Sequence, residues 1–520
     1  MKRILLINPP YPFEEHPSPS FGLMSLAAYL IEKGYEVRIE DYIIENCSAD
    51  RFKYVLDEFK PEVIGATAVS MTVKKSLSIL KEYRLLSPGI ITVMGGPHAT
   101  FDSTGILISG YVDFIVRGEG EITFTELLST ISEGGDPAAV NGISYIMDGK
   151  VHLTPDRELI DDINILPYPA RNLAALSRYK AMDLPINMIT SRGCPHSCIF
   201  CLGRKMVGRR LRYYTIERVV DEFELLSKME FSQINISDDL FTSNKNRCIA
   251  ICDGIISRGI KQDWSAFARV DTISEDLLDK LKEAGCVTLC FGIESGNQEI
   301  LDRVKKKITL DKCRAAAGMC RSAGIIPLAS YILGLPGETE ETVMNTLRFA
   351  RDLNMEFGIH ILAPFPGTEV REKSEEYGIH ILTDDWDLYD ANQSVCSTGG
   401  ITPESIDKIV HGFYESLENY MNDISLQKKS GETISEKDEL MLRKVELYNF
   451  NMELIKNRVV ENFSGAEVST PEELLNIFSS YIREITGGDP GFISRELDRL
   501  MEKRCIEIIH KDSRKTIRWA

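Results

Sequence analysis

Two successive series of short β-branched runs, alternating with helical stretches, constrain this chain more than any other feature of it. "RILLINPP", "YEVRIED", "EVIGATAVS", "GIITVMGGPH" and "VDFIVRGEG" read as strands, with helices such as "LMSLAAYLIEKG" and Val73–Leu86 between them. Strands separated by single helices pair in parallel through right-handed crossovers. Glycine, serine and proline gather where these strands end: Asn8-Pro9-Pro10, Ser70, Gly95-Gly96-Pro97 and Gly118-Glu119-Gly120. In open α/β sheets that carboxyl edge binds ligands. "GISYIMDGKVHL" reads as a hairpin turning at Asp148-Gly149, and it closes a first domain over residues 1–155.

A proline-bearing linker, "INILPYPARNL", falls within 156–185 and leads to a second series that opens with "INMITSRGC". "SQINISDD", "DWSAFARVD", "CVTLCFGIESG", "IPLASYILGLPG" and "FGIHILAPFPG" add five strands. They predict a partial (β/α)6 barrel over 186–385, with its site on the loops after the strands. From 386 to 520 helix formers dominate, which predicts a mostly helical third domain. The fold class is α/β throughout the first two.

Composition excludes several functions. With 43% hydrophobic and 27% charged residues among 520, the chain has apolar surface for real cores. No run reaches the roughly 18 apolar residues of a membrane span. "MKRILLINPP" is too short in apolar residues for a secretory signal, so a cytoplasmic protein is the reading. A net charge of −18 argues against nucleic-acid binding. Twelve cysteines in such a chain read as thiols and metal ligands, not as a disulfide frame.

Three of them stand in "SRGCPHSCIFC", as C-x3-C-x2-C: Cys194, Cys198 and Cys201. Soft thiolates suit zinc or iron–sulfur clusters. Zinc would take His196 as its fourth ligand, although structural zinc sites favour paired C-x2-C knuckles. A redox dithiol needs only two cysteines. A cubane held by three cysteines leaves one iron open to a small molecule, as catalytic metal sites leave one position open. The open cluster leads this comparison, with zinc and inert thiols behind it.

This triad after the first strand of a partial barrel, with Phe200 before the third cysteine, resembles the radical S-adenosylmethionine enzymes. The resemblance implies a 4Fe-4S cluster whose open iron chelates S-adenosyl-L-methionine, cleaved by one electron to a 5′-deoxyadenosyl radical. "FGIESGNQEILDRVKK" is similar to the superfamily's fourth-strand motif, which makes Glu294 a contact of the co-substrate. "LGLPGET" is similar to the fifth-strand segment beside the adenine and includes Gly334. Arg269 in "FARVD" is placed to reach the methionyl carboxylate, with a structural ion pair as its competing role. The usual Gly-Gly-Glu after strand two is replaced by "ISDDLFT", so Asp238 or Asp239 is expected to take the amino group.

The front domain resembles the cobalamin-binding, Rossmann-like domain of one branch of these enzymes. "PSFGLMSLAAYL", Ser70-Met71-Thr72, "GGPHAT" and "RGEGE" carry that resemblance, which covers roughly residues 1–390. It implies a corrinoid held by Ser70, Thr72, Gly95, Gly96, Gly118, Glu119 and Gly120. No G-x-G-x-x-G follows the first strand, which counts against a dinucleotide. D-x-H-x-x-G is absent too; "NPPYPF" stands there, and neither His16 nor His98 fits the pattern. Cobalt is therefore expected to lack a histidine lower ligand. The branch implies a methyltransferase acting on an unactivated carbon or phosphorus centre through methylcobalamin, with a flavodoxin or ferredoxin as reductant.

Three other readings remain at this level. One is radical cyclisation, rearrangement or carbon–carbon coupling without methyl transfer, with a vestigial front domain. Another is a lipid-chain coupling enzyme with extra clusters. The last is a zinc-stabilised scaffold. The remaining nine cysteines are expected to be buried thiols, with an auxiliary cluster as the competing reading. Cys286 and Cys290 should share one strand face; Cys313 with Cys320, and Cys248 with Cys252, one helix face each.

Overall fold

The computed structural model describes residues 2–10, 17–511 and 514–520. Its first sheet has seven strands in the order β2-β1-β3-β4-β5-β6-β7. They are β1 (Arg3–Asn8), β2 (Glu36–Asp41), β3 (Val63–Thr67), β4 (Ile91–Gly95), β5 (Phe114–Val116), β6 (Ile143–Met147) and β7 (Lys150–Leu153). β1 to β5 pair in parallel, whereas β6 runs antiparallel to β5 and turns into β7. Leu5 and Ile7 of β1 enter the apolar cluster on one face of this sheet; Ile4 and Leu6 enter the cluster on the other. A central parallel strand is covered on both faces, which is why "ILLI" is apolar without alternation.

The second sheet has six parallel strands in the order β15-β14-β13-β12-β11-β8. In chain order these are β8 (Ile186–Met188), β11 (Ile234–Ile236), β12 (Trp264–Ala268), β13 (Cys286–Glu294), β14 (Ile326–Leu333) and β15 (Glu356–Ile361). Two short strands, β9 (Ser191–Arg192) and β10 (Arg212–Tyr213), form a separate antiparallel ribbon that follows β8. Trp264 is fully buried, and its indole N–H donates to the Ala284 carbonyl at 2.8 Å.

One strand departs from simple alternation. The pairing of β13 with β12 slips by one residue between Trp264 and Ser265. That slip resets the side-chain alternation. Cys286 therefore joins Leu289, Phe291 and Ile293 in the core under the helices, while half-buried Cys290 takes the opposite face. The two cysteines do not share a face. Cys248, Cys252, Cys313 and Cys320 are all fully buried in the same core as Cys286. Among the described residues, no three His, Cys, Asp or Glu side chains are placed to hold one metal ion.

Two long helices, Pro403–Ser430 and Glu436–Lys456, follow the barrel. Met452 and Ile455 of the second pack into the barrel core, while Phe450 and Leu454 pack into a C-terminal core. The chain ends on an antiparallel hairpin, Ile506–Lys511 with Arg514–Trp519, in a region that reads as helical from sequence. Arg178, in the linker, ties the first domain to the C-terminal region: its guanidinium donates to Glu45 and, at 2.8 Å, to Glu461, and lies over the Trp519 ring. No helix among the described residues is long and apolar enough to cross a membrane.

Candidate active site

The cysteine loop is the excursion between β9 and β10, whose register pairs Arg192 with Arg212. Its path needs glycine at 193, where φ is +115° and a Cβ would sit 2.3 Å from the Arg210 carbonyl oxygen. Backbone bonds fix the rest. Cys194 N–H donates to Gly208 O at 3.1 Å, and Cys201 N–H to Cys198 O at 3.3 Å. Ile199 N–H donates to Val304 O at 3.2 Å, and Ile199 O accepts from Val370 N–H at 3.0 Å. Glu369 staples the outside, accepting from Arg204 at 2.6 Å and from Lys305 at 2.5 Å.

Cys198 is buried, Cys194 half-buried and Cys201 exposed as whole residues. Burial of its sulfur pushes the Cys201 thiol up to about 11 and raises Cys198 as well. Such thiols ionise when a metal supplies the opposing charge. A cubane sets each thiolate on a different iron, so three spaced cysteines on one loop fit it. His196 lies near Arg269 and Asp271 and is lowered by burial and by Arg269.

Beside the loop stands a buried ion pair. Lys306 Nζ lies 2.7 Å from Glu294 Oε1, with each side chain 9% exposed. Glu294 ends β13 at a register shift against β14, with φ +72°, a conformation rare for a residue with a Cβ. Lys305 and Lys307 have φ +58° and +57°, so Lys306 sits at the tip of a doubly left-handed turn that turns its ammonium inward. Burial opposes that charge, yet the carboxylate of Glu294 and the Cys198 sulfur hold the ammonium above its usual range. From sequence, Lys306 hides in "KKK", which reads as a solvated charge run. Its helical-frame offset of twelve residues from Glu294 carries no signal.

Arg269 supports this turn. It donates to Asp271 through Nε and Nη2, both at 3.0 Å, and to the Lys306 carbonyl through Nη1 and Nη2, both at 3.1 Å. The structural pairing therefore occupies most of its donors. The two aspartates separate as well. Asp238 is buried and accepts four bonds, from the backbone N–H and hydroxyl of both Thr190 and Ser191, at 2.5–3.1 Å. Its lone pairs are filled, so it serves the turn after β8. Asp239 is exposed, and a Cβ at Gly203 would lie 3.1 Å from its Oδ1. Gly334, with φ +83°, donates its N–H to Glu338 Oε2 at 2.7 Å in the turn after β14.

At the carboxyl edge of the first sheet lies a cavity of about 230 Å³. Gly22, Gly65, Gly95, Gly96, Gly118 and Gly120 line it, together with Glu119 and Arg192. A Cβ at Gly22 or Gly118 would meet no atom within 4 Å, so the glycines leave open space. At Gly65 a Cβ would approach Leu6 at 3.2 Å, so there the glycine lets the wall close. Backbone left bare by glycines at a strand edge suits close approach of a flat cofactor such as the nucleotide tail of a corrinoid. Ser70 and Thr72 do not line it. The Ser70 hydroxyl bonds His98 Nδ1 at 3.0 Å, and Thr72 Oγ1 caps Val69 N–H at 3.1 Å. Burial and Arg371 lower His98 to about 4, so it is neutral. His16, Tyr11, Pro12 and Phe13 lie outside the described residues.

Comparison with known proteins agrees with both halves. The profile of the radical SAM superfamily matches residues 188–350, and that of the B12 binding domain matches residues 15–128. An uncharacterized methyltransferase of Pyrococcus horikoshii is 34% identical over 77% of this chain and 87% of its own. The anaerobic magnesium-protoporphyrin IX monomethyl ester cyclase of Rubrivivax gelatinosus is 31% identical over 71% of this chain and 68% of its own. Among solved structures, the radical S-adenosylmethionine methyltransferase TsrM of Kitasatospora setae aligns with TM-score 0.64 at 20% identity, over 74% of this chain and 79% of that one. The cobalamin-dependent radical enzyme OxsB aligns with TM-score 0.66 at 16% identity, over 96% of this chain and 84% of that one. The chain belongs to the radical S-adenosylmethionine enzymes that carry a B12-binding domain. Its cofactors are a 4Fe-4S cluster, S-adenosylmethionine and cobalamin.

Proposed function

We propose that this enzyme methylates an unactivated carbon or phosphorus centre. Relatives named as methyltransferases support this over cyclisation, and so does a first domain that keeps an open, glycine-lined cavity instead of a filled relic. When bound, the cluster with S-adenosylmethionine supplies a 5′-deoxyadenosyl radical, and cobalamin supplies the methyl group. The chain's residues divide the remaining work. Residues 1–155 hold the corrinoid, 186–385 hold the cluster and co-substrate, and 386–520 close the substrate space.

Cys194, Cys198 and Cys201 would hold the cluster through their thiolates. The Glu294–Lys306 pair binds the methionyl end of S-adenosylmethionine by exchanging partners: the Glu294 carboxylate takes its ammonium, and the Lys306 ammonium takes its carboxylate. The pair is already dehydrated, so the exchange keeps charge balanced in a buried place. Asp239, beside the cysteine loop, supplies a second acceptor for the ammonium. Arg269 acts through the Lys306 carbonyl and fixes the turn. Gly334 leaves the backbone bare beside the adenine. A small iron–sulfur or flavin protein as reductant and a cytoplasmic setting belong to the same proposal.

The observation that carries it is the buried Lys306–Glu294 pair at 2.7 Å next to the cysteine loop. Replacing Cys194, Cys198 and Cys201 by alanine together should take iron from about four per chain to near zero while cobalt stays near one. Iron left at the wild-type level would overturn the ligand assignment. With substrate and reductant, S-adenosylhomocysteine and 5′-deoxyadenosine should accumulate together. Deoxyadenosine alone would favour radical chemistry without methyl transfer.

A further inference from the structure

The cysteine loop and the cavity of the first sheet share one carboxylate. Glu119, in the cavity wall, accepts from Arg192 at 2.8 Å through Oε1 and from Arg212 at 2.9 Å through Oε2. These arginines are the paired residues of the β9–β10 ribbon, so both legs of the cysteine loop end on Glu119. Arg192 also donates to Glu121 at 2.7 Å, and Glu121 accepts from Ser25 at 3.0 Å. Arg212 continues into the loop, donating to Val207 O at 2.8 Å. The next residue, Gly208, accepts from the N–H of Cys194 at 3.1 Å. All four charged side chains are at most 11% exposed. Burial alone would raise Glu119; the bond from Arg212 and the charge of Arg192 outweigh it and hold the carboxyl below its usual range.

We propose that Glu119 is a positioning residue that couples cobalamin binding to S-adenosylmethionine binding. The inference rests on the cofactor reading above. An occupant of the cavity packs against the wall that Glu119 and Arg192 form, and restricts the carboxylate to the position that clamps both arginines. The clamp then holds Val207 and Gly208, and through them Cys194, in one arrangement. The loop is thereby ordered before the co-substrate arrives, and less ordering is left for that step. The buried network favours such transmission, because a low-dielectric pair has few alternative partners. Linkage makes the effect mutual: S-adenosylmethionine must tighten cobalamin by the same factor.

The experiment measures binding, not turnover. Protein reconstituted without oxygen to full iron content is titrated with S-adenosylmethionine, with and without saturating hydroxocobalamin, following the electron paramagnetic resonance of the reduced cluster. The wild type should bind S-adenosylmethionine about fivefold or more tightly when cobalamin is present. Glu119→Gln keeps the shape and removes the charge, so with hydroxocobalamin raised to saturation for the variant that ratio should fall to near one. Arg212→Lys keeps the charge but loses the reach to Val207, and its ratio should fall too. A wild-type ratio of one, with iron and cobalt both loaded, overturns the coupling and leaves the cofactor reading standing. An undiminished ratio in Glu119→Gln overturns the role of Glu119. A chain that takes up no cobalamin overturns the cofactor reading and this inference together.

Discussion

Gly292→Ala tests the paired head-group site with a single methyl. Gly292 lies on β13, and its φ is outside the left-handed region, so alanine meets no backbone penalty there. The added Cβ would stand 2.3 Å from Glu294 Oε1 and 2.9 Å from Lys306 Nζ, where 3.4 Å begins ordinary contact. The carboxylate oxygen must retreat by about 1 Å, stretching the ion pair from 2.7 Å to about 3.8 Å. At an effective dielectric near 20 this weakens the attraction by about 1.8 kcal/mol, roughly a factor of 20. The same methyl fills space beside both charged atoms, so the methionyl end of S-adenosylmethionine meets a displaced carboxylate. Because the pair parts when the co-substrate binds, its weakening lowers folding stability and not affinity; the dissociation constant for S-adenosylmethionine should rise because the methyl occupies the head-group space and displaces the carboxylate, with iron still near four per chain. Equilibrium titration of the reduced cluster reads the dissociation constant, and chemical analysis the iron. Gly318→Ala is the control, since a Cβ there meets nothing within 4 Å. Unchanged affinity in an iron-replete Gly292→Ala protein would refute the assignment of Glu294 and Lys306.

Three further outcomes follow from other residues. Gly96→Ala places a Cβ 2.8 Å from the Ala68 carbonyl oxygen at φ +94°, so cobalamin retained after desalting should fall about tenfold while iron stays; equal cobalt retention would contradict the cavity assignment. Lys306→Met leaves Glu294 buried without its partner and should cost about 3–5 kcal/mol of stability; a melting curve unchanged from wild type would show that the pair is not buried as described. Glu338 is fully buried, and burial raises its carboxyl to about 8 despite bonds from Gly334 and Leu335 N–H. Its folded value exceeds the unfolded one, so the fold keeps a proton the unfolded chain has released, and stability falls as pH rises from about 4.5 to 8. Glu338→Gln should therefore gain on the wild type in thermal midpoint between pH 5.5 and 8; a constant difference would refute the shift.

How much of this was legible depended on whether the signal was local. β1 to β5 and the six barrel strands were readable because parallel strands covered on both faces are continuous apolar runs between turn residues. The cysteine triad stands out because its three thiols fall within a few residues on one loop, where spacing alone reveals them. Gly95, Gly96, Gly118 and Gly120 were readable for a related reason: bare backbone at a strand end needs glycine itself. The rest depended on partners far apart in sequence. Lys306 looks like one of three solvated lysines until two left-handed residues turn it onto Glu294. Asp238 and Asp239 are neighbours in sequence and equal as candidates, yet the alternation after β11 buries one under Thr190 and Ser191 and leaves the other open. Cys286 and Cys290 defeated the period-two rule through one slipped residue, which only the partner strand reveals.

Glu119 shows the same limit most sharply. Within "RGEGE" it looked like a ligand of the corrinoid, since it stands between two glycines that line the cavity. It does line the cavity, and its carboxylate also accepts from Arg192 and Arg212, seventy-three and ninety-three residues away. A glycine motif predicts where a ligand approaches, because that depends on missing atoms along one short stretch of chain. It does not predict what a charged residue inside the motif does, because a buried charge is defined by whichever opposite charge the fold brings to it. In this chain the fold brings the base of the cysteine loop, so a residue of the cavity wall also carries the two arginines on which that loop stands.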